Sequence, residues 1–155
     1  MSIKPLDDIV AESPLFADLE LHLLSLVSGC AKNVHFGDGD MLFSEGDPAD
    51  TFYLIREGQV AVDIFVPNNG GITIDTLDPG DVVGWSWLIE PHQAHFDARA
   101  VGRVRALQFD GDCLRGKCAE DPAVGYALLS RFVEVLVQRM EALQVRVLDL
   151  YGNLP

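Results

Sequence analysis

Trp85, Trp87, His92 and His95 fall within eleven residues, an unusual concentration of side chains able to stack or to bind metal. Indole rings can stack on a planar ligand, and they can equally pack a core, because each buries a large area wherever it can. Two imidazoles three positions apart can share a metal ion, but Pro91 interrupts any helix that would hold them together, and no third ligand stands nearby. His35, His92 or His95 could hold a haem iron, yet no axial pair can be named. Cys30, Cys113 and Cys118 are odd in number and form no CxxC pair. Free thiols, buried or half-buried, are therefore expected in place of a disulfide framework or a zinc knuckle. No catalytic residue and no metal ligand is assigned from this set, and enzymatic activity is not expected.

Such side chains need a scaffold to position them. The chain has 155 residues, 48% hydrophobic and 23% charged, which suffices for one ordinary core. The expected organisation is an N-terminal segment over 1–12 and a single domain over 13–155. Eleven Lys and Arg stand against 24 Asp and Glu, for a net charge of -13. That balance argues against a nucleic-acid-binding module, which needs clustered cations, and against an anionic membrane surface. The N-terminus carries acids where a signal peptide has bases, and no apolar run approaches the roughly 18 residues of a membrane span. A cytoplasmic location is expected.

Ser13 before Pro14 reads as a helix N-cap, and Leu15, Leu19, Leu23 and Leu24 then recur at helical spacing up to Gly29, so a helix of about four turns is expected there. From 33 to 110 the pattern changes to short β-branched and aromatic runs broken by Gly, Pro, Asn and Asp. Strands are expected at 33–36, 41–43, 51–56, 60–66, 72–77, 97–101 and 104–109, in an antiparallel sandwich or barrel. The stretch PNNGG at 67–71 reads as a hairpin turn, and Gly46, Gly58, Gly80 and Gly84 mark other corners.

Beyond Asp110 the period is helical again, with a short segment around 113–119 and a long helix over 122–150 opened by Asp121 and Pro122. Tyr126, Val133, Met140 and Val147 share one heptad position of that helix, and Leu129, Leu136, Leu143 and Leu150 share the other. β-Branched residues at the first with Leu at the second favour a parallel two-stranded coiled coil. Leu128, Phe132 and Val135 form a flanking stripe that can face the helix's own domain, which frees the heptad seam for a second copy. A homodimer is expected.

The stretch LFSEGDPADTFYLIREGQVAVDIF at 42–65, followed by LDPGDVVG at 77–84, resembles the cyclic-nucleotide-binding domain of the catabolite-activator and fumarate-nitrate-regulator (Crp/Fnr) superfamily. The resemblance extends from about Ser13 to Leu150. It implies a mainly β fold with flanking helices: a cupin-like double-stranded β-helix, or jelly-roll barrel, between an N-terminal helix and a long C-terminal dimerisation helix. It also implies a ligand site in a phosphate-binding cassette, where a Glu after a glycine takes the ribose and an Arg about ten positions on takes the cyclic phosphate. Here the cassette is GWSWLIEPHQAHFDARA at 84–100. Laid on the pattern without gaps, Trp85 replaces the Glu, Ala94 the Arg, and His95 the small residue beside it.

The resemblance thus implies a ligand site at Gly84, Trp85, Ser86, Ala94, His95 and Phe96, re-lined so that cyclic AMP and cyclic GMP are expected to bind weakly or not at all. His95 or Arg99 would have to replace the missing cation, and alternation along the strand after the cassette puts Arg99 on the opposite face. Metal-dependent enzymes of the cupin type carry paired histidines with a Glu and a further His, a set not found between Val60 and Phe109. The family's winged helix-turn-helix would follow the long helix, but the chain ends at Pro155, so no direct nucleic-acid partner is expected. Two functions remain: a regulatory or sensor module that signals a small-molecule state to a protein partner, or a ligand-free interaction and dimerisation module on the same fold.

Overall fold

A computed structural model describes residues 5–152. Two short helices, α1 (Leu6–Glu12) and α2 (Leu21–Ser28), precede strands β1 (Ala31–Phe36), β2 (Met41–Phe43), β3 (Thr51–Val66), β4 (Gly70–Leu77), β5 (Val82–Val83) and β6 (Asp97–Asp110). A 3₁₀ turn (Ser86–Leu88) lies between β5 and β6, and helices α3 (Gly111–Glu120) and α4 (Pro122–Gly152) follow. All strand pairs are antiparallel, in the order β1-β6-β3-β4, with β2 added to β6 and β5 to β3. The fold is a jelly-roll-like β-sandwich with N-terminal helices and a long C-terminal helix, as the sequence implies.

Alternation along the strands sorts side chains into two cores. Phe52, Leu54, Leu107 and Phe109 face the helices, where they meet Val10, Phe16, Val27, Leu114, Leu128 and Phe132. Their neighbours Tyr53, Ile55, Val104 and Ala106 face the barrel interior with Val60, Val62, Val83, Ala98 and Ala100. Because both faces are covered, β3 reads as buried on successive residues from Phe52 to Ile55.

Several expectations need correction. The strands expected at 51–56 and 60–66 are one strand, and so are those at 97–101 and 104–109. Gly58, at φ +88°, is a bulge inside β3 rather than a corner, and a Cβ there would stand 2.2 Å from the Arg103 carbonyl oxygen, so the two strands close up only around glycine. The helix expected from Ser13 to Gly29 is broken. Ser13 caps the C-terminal end of α1, its hydroxyl donating to the Val10 carbonyl while accepting from the Phe16 N–H. Asp18 at φ 62° then turns the chain before α2, which lets adjacent Leu15 and Phe16 both enter the core.

The cysteine expectation fails as well. Cys30 and Cys113 form a disulfide, with Cα atoms 5.8 Å apart across 83 residues of sequence, and only Cys118 is free. Pairing of β1 with β6 places Ala31 opposite Phe109, which brings the end of α2 and the first turn of α3 together. Lys117 adds a second tie, its ammonium donating to the Leu26 carbonyl at 2.8 Å.

The PNNGG turn and the opening of the last helix stand where the sequence put them. Val66 pairs with Gly70 across the PNNGG hairpin, with Asn68 at φ 75°. Asp121 accepts from the Ala123 N–H at 3.1 Å to open α4. Among the described residues no helix is long and apolar enough to cross a membrane.

Candidate functional site

β5 delivers the chain to Gly84, whose φ of +95° turns it into the cassette; a Cβ here would meet the Phe43 ring at 3.3 Å. The 3₁₀ turn follows, and the return limb is fastened to the loop after β2. The Ala94 N–H donates to Asp47 O at 2.9 Å, the Gly46 N–H to Ala94 O at 2.8 Å, and the Ala49 N–H to His92 O at 2.7 Å. Asp97 accepts from the Glu45 N–H at 2.7 Å, and the Phe43 and Phe96 rings lie 5.4 Å apart.

Between these limbs is a cavity walled by Phe43, Pro48, Ala49, Thr51, Gly84, Ser86, Ala94 and Phe96. Of the six residues expected at the ligand site, Gly84, Ser86, Ala94 and Phe96 line it. Trp85 points away and meets Phe132 of α4 edge-on at 5.9 Å, and His95 is exposed outside the wall. Two properties of the cavity matter. It encloses about 20 Å³, room for little more than one water, and no charged side chain faces it.

Arg99 does not reach this wall. Its Nε donates to Asp63 at 3.0 Å, and the Thr73 hydroxyl donates to the same carboxylate at 2.6 Å. Burial pushes the Asp63 carboxyl up, but the Thr73 and Arg99 donors outweigh it and hold the group below the ordinary carboxylate value. Burial raises the Tyr53 phenol and the Cys118 thiol, so both are protonated near neutral pH.

Trp87 packs as a core residue. It stacks on Phe52 at 4.9 Å and meets Phe132 edge-on at 5.4 Å. The cassette thereby rests on α4 through both tryptophans and one phenylalanine. A second link was not visible in the sequence: Asp75 of β4 accepts from Arg139 and from Arg146, both on α4. The spacing of the two arginines is one heptad, but nothing local in the sequence names Asp75 as their partner. The heptad seam itself is open. All eight of its residues are exposed, the least being Leu136 at 36%, whereas Leu128 and Phe132 on the flank are buried. His92, half-buried, adopts φ 56°, and among the described residues no three His, Cys, Asp or Glu side chains gather as a metal site would require.

Comparison with known proteins agrees with the fold. The family model of the cyclic nucleotide-binding domain matches residues 33–121. The CRP-like cAMP-activated global transcriptional regulator of Mycobacterium tuberculosis is 27% identical over 145 residues, covering 94% of this chain and 63% of that protein, so the chain spans less than two thirds of this relative. A cyclic nucleotide-binding domain from Methylobacillus flagellatus superposes with a TM-score of 0.78 at 25% identity, over 97% of this chain and 83% of the other. The catabolite activator protein of Thermus thermophilus shares the fold, with a TM-score of 0.68 at 23% identity over 90% and 63% of the two chains.

Proposed function

The chain belongs to the cyclic nucleotide-binding domain family, and on that premise we propose that it is a regulatory module with a re-lined cassette, dimerised through α4, that passes a small-molecule state to a protein partner. The observation that carries the re-lined cassette is its cavity, small and without a charged side chain in its wall. A cyclic phosphate entering it would lose water without gaining a cation. Removing one partner of a buried ion pair typically costs about 3 to 5 kcal/mol, a hundredfold to a few thousandfold in affinity. Trp85, where the family pattern has its ribose-binding Glu, supplies no acceptor. Cyclic AMP and cyclic GMP are therefore weak ligands at best in this proposal, although the relative from Mycobacterium tuberculosis is named as cAMP-activated.

Signalling in the proposal runs through the packed contacts of Trp85 and Trp87 with Phe132. A ligand that displaces the cassette must repack that junction, and α4, which carries Phe132, is the element it would act on. The open heptad seam supports a parallel homodimer, and it equally supports the second reading, in which the module keeps the fold for dimerisation and partner binding without a ligand. Neither catalysis nor direct nucleic-acid binding is part of the proposal. A cytoplasmic location is retained in it, and in that compartment the Cys30–Cys113 bond would be a reversible one.

Calorimetry with cyclic AMP and cyclic GMP at pH 6 and pH 8 tests the cassette reading. The expected result is no saturable binding in the micromolar range. Micromolar affinity at both pH values would overturn it. Binding at pH 6 alone would overturn it as well, and its loss in His95→Ala would show that this side chain reaches the ligand.

A further inference from the structure

Strand β1 ends the sheet. Among the described residues its one neighbour is β6, so one edge of its six-residue backbone presents N–H and C=O groups with no strand to bond. An edge of this kind takes up an extended chain, and the side chains beside it decide which chain.

The side chains of β1 alternate between two surroundings. Val34 and Phe36 turn to the barrel interior and pack half-buried against its core. Asn33 and His35 turn the other way and are exposed. On that outer face His35 stands opposite Arg105 of β6, and Arg105 opposite Glu57 of β3, in one row across three strands. Glu57 is engaged from the β3 side, where it accepts from Arg105 at 3.3 Å. Arg103 shares the face of Arg105, because Val104 and Ala106 alternate with them into the interior. It is exposed, and its guanidinium has no hydrogen-bond or ion-pair partner among the described residues. Lys32 adds an exposed cation at the start of β1. The acids of the loop after β1 are turned to backbone: Asp38 accepts from the Gly102 N–H at 2.7 Å, and Asp40 from the Gly37 N–H at 2.8 Å.

A cavity of about 580 Å³ lies where β1 ends, an ordinary size for a binding site. Phe36 and Val104 give its wall an apolar part, and His35, Arg103 and Arg105, with Glu57, give it a polar one. A chain of net charge -13 thus gathers cations beside an unpaired strand edge. We propose that this edge takes an extended acidic segment of a protein partner, added as a further strand. The alternation of β1 dictates that of the occupant: apolar side chains lie beside Val34 and Phe36, and carboxylates lie on the face of His35, within reach of Arg103 and Arg105. The same cations turn away a basic strand. This surface is apart from the cassette cavity and from the α4 seam, so it stands or falls independently of both.

Fluorescence anisotropy with a labelled six-residue peptide alternating Val and Glu tests the proposal. The wild type should bind it saturably, with a dissociation constant below about a millimolar, and several-fold more weakly as NaCl rises from about 0.05 to about 0.5 M. The same peptide N-methylated at every residue cannot join a ladder and should bind at least about tenfold more weakly, as should a peptide alternating Val and Lys. Arg103→Glu, on the surface and checked for folding by circular dichroism, should weaken the Val-Glu peptide by about fivefold. Absence of saturable binding to the wild type overturns the proposal. So does equal binding of the Val-Lys peptide, or affinity unchanged by N-methylation or in folded Arg103→Glu. Amide exchange in β1 that slows with rising protein concentration, without peptide, would assign the edge to a second copy and overturn it as well.

Discussion

Reducing the Cys30–Cys113 disulfide should destabilise the protein without reshaping it. The bond closes a loop of 83 residues, and in the chain-entropy description a cross-link of that span removes about 4.5 kcal/mol worth of freedom from the unfolded chain. The folded state has little to lose by comparison. Beside the bond, Ala31 pairs with Phe109 and the Asp110 N–H donates to Cys30 O at 2.8 Å, so strand pairing holds both sulfurs close with or without the covalent link. The loss should fall near 2 to 4 kcal/mol, the usual range for such bonds. Urea unfolding followed by tryptophan fluorescence, with and without a phosphine reductant, measures it. The midpoint should drop by about 1 to 2 M, and the dependence on urea should steepen, because an uncrosslinked chain exposes more surface when it unfolds. A melting temperature about 10 °C lower should accompany this. A midpoint and slope unchanged on verified reduction would refute the reasoning, since the entropy it assigns to the unfolded chain would be absent.

Three further outcomes are expected. Light scattering coupled to size exclusion should give twice 17.0 kDa for the wild type and a monomer for Leu136→Asp, because a carboxylate in the heptad seam can be neither paired nor solvated cheaply; a wild-type monomer at tens of micromolar would remove the dimer. Asp75→Asn should loosen the hold of Arg139 and Arg146, speeding amide exchange in the second half of α4 by about fivefold, equivalent to roughly 1 kcal/mol for a partly exposed ion-pair cluster, while exchange in β3 and β6 stays unchanged. Asp63 has its pKa lowered below 3.8 by folding, so its contribution is full above that value and is lost as pH falls through the lowered one. The stability gap between wild type and Asp63→Asn should accordingly be constant above about pH 5 and close in acid, and a gap independent of pH would contradict that.

What could be read from the sequence was what local chemistry decides. PNNGG folds where it stands because Asn68 and Gly70 accept positive φ, and Asp121 with Pro122 opens a helix from its own side chain and ring. Gly58 misled because a positive-φ glycine serves a corner and a bulge alike, and only the approach of Arg103 from a distant strand distinguishes them. Ser13 misled because its hydroxyl does accept from the Phe16 N–H, as an N-cap would, yet it also donates back to the helix it ends. Cys30 and Cys113 meet only through the pairing of β1 with β6, and Asp75 meets Arg139 and Arg146 only through the packing of α4, so neither association has a local signature. At the cassette, four of the six expected residues line the cavity. Trp85 was harder to place, because a ring able to stack on a ligand finds an equal partner in Phe132.

The position of β1 at the edge of the sheet, with β6 its only neighbour among the described residues, bears on how the chain is made. β1 leaves the ribosome about seventy residues ahead of the strand it must pair with, a wait of several seconds at ordinary rates of synthesis. Throughout that interval its backbone is unpaired and open to any other nascent strand. Lys32, Asn33 and His35, all polar and on an edge, suit such a wait, since polar side chains discourage stray pairing. Folding of the barrel during translation is then timed by the emergence of β6, and a pause that falls after β1 has emerged and before β6 has would lengthen the exposure of β1 by its whole duration.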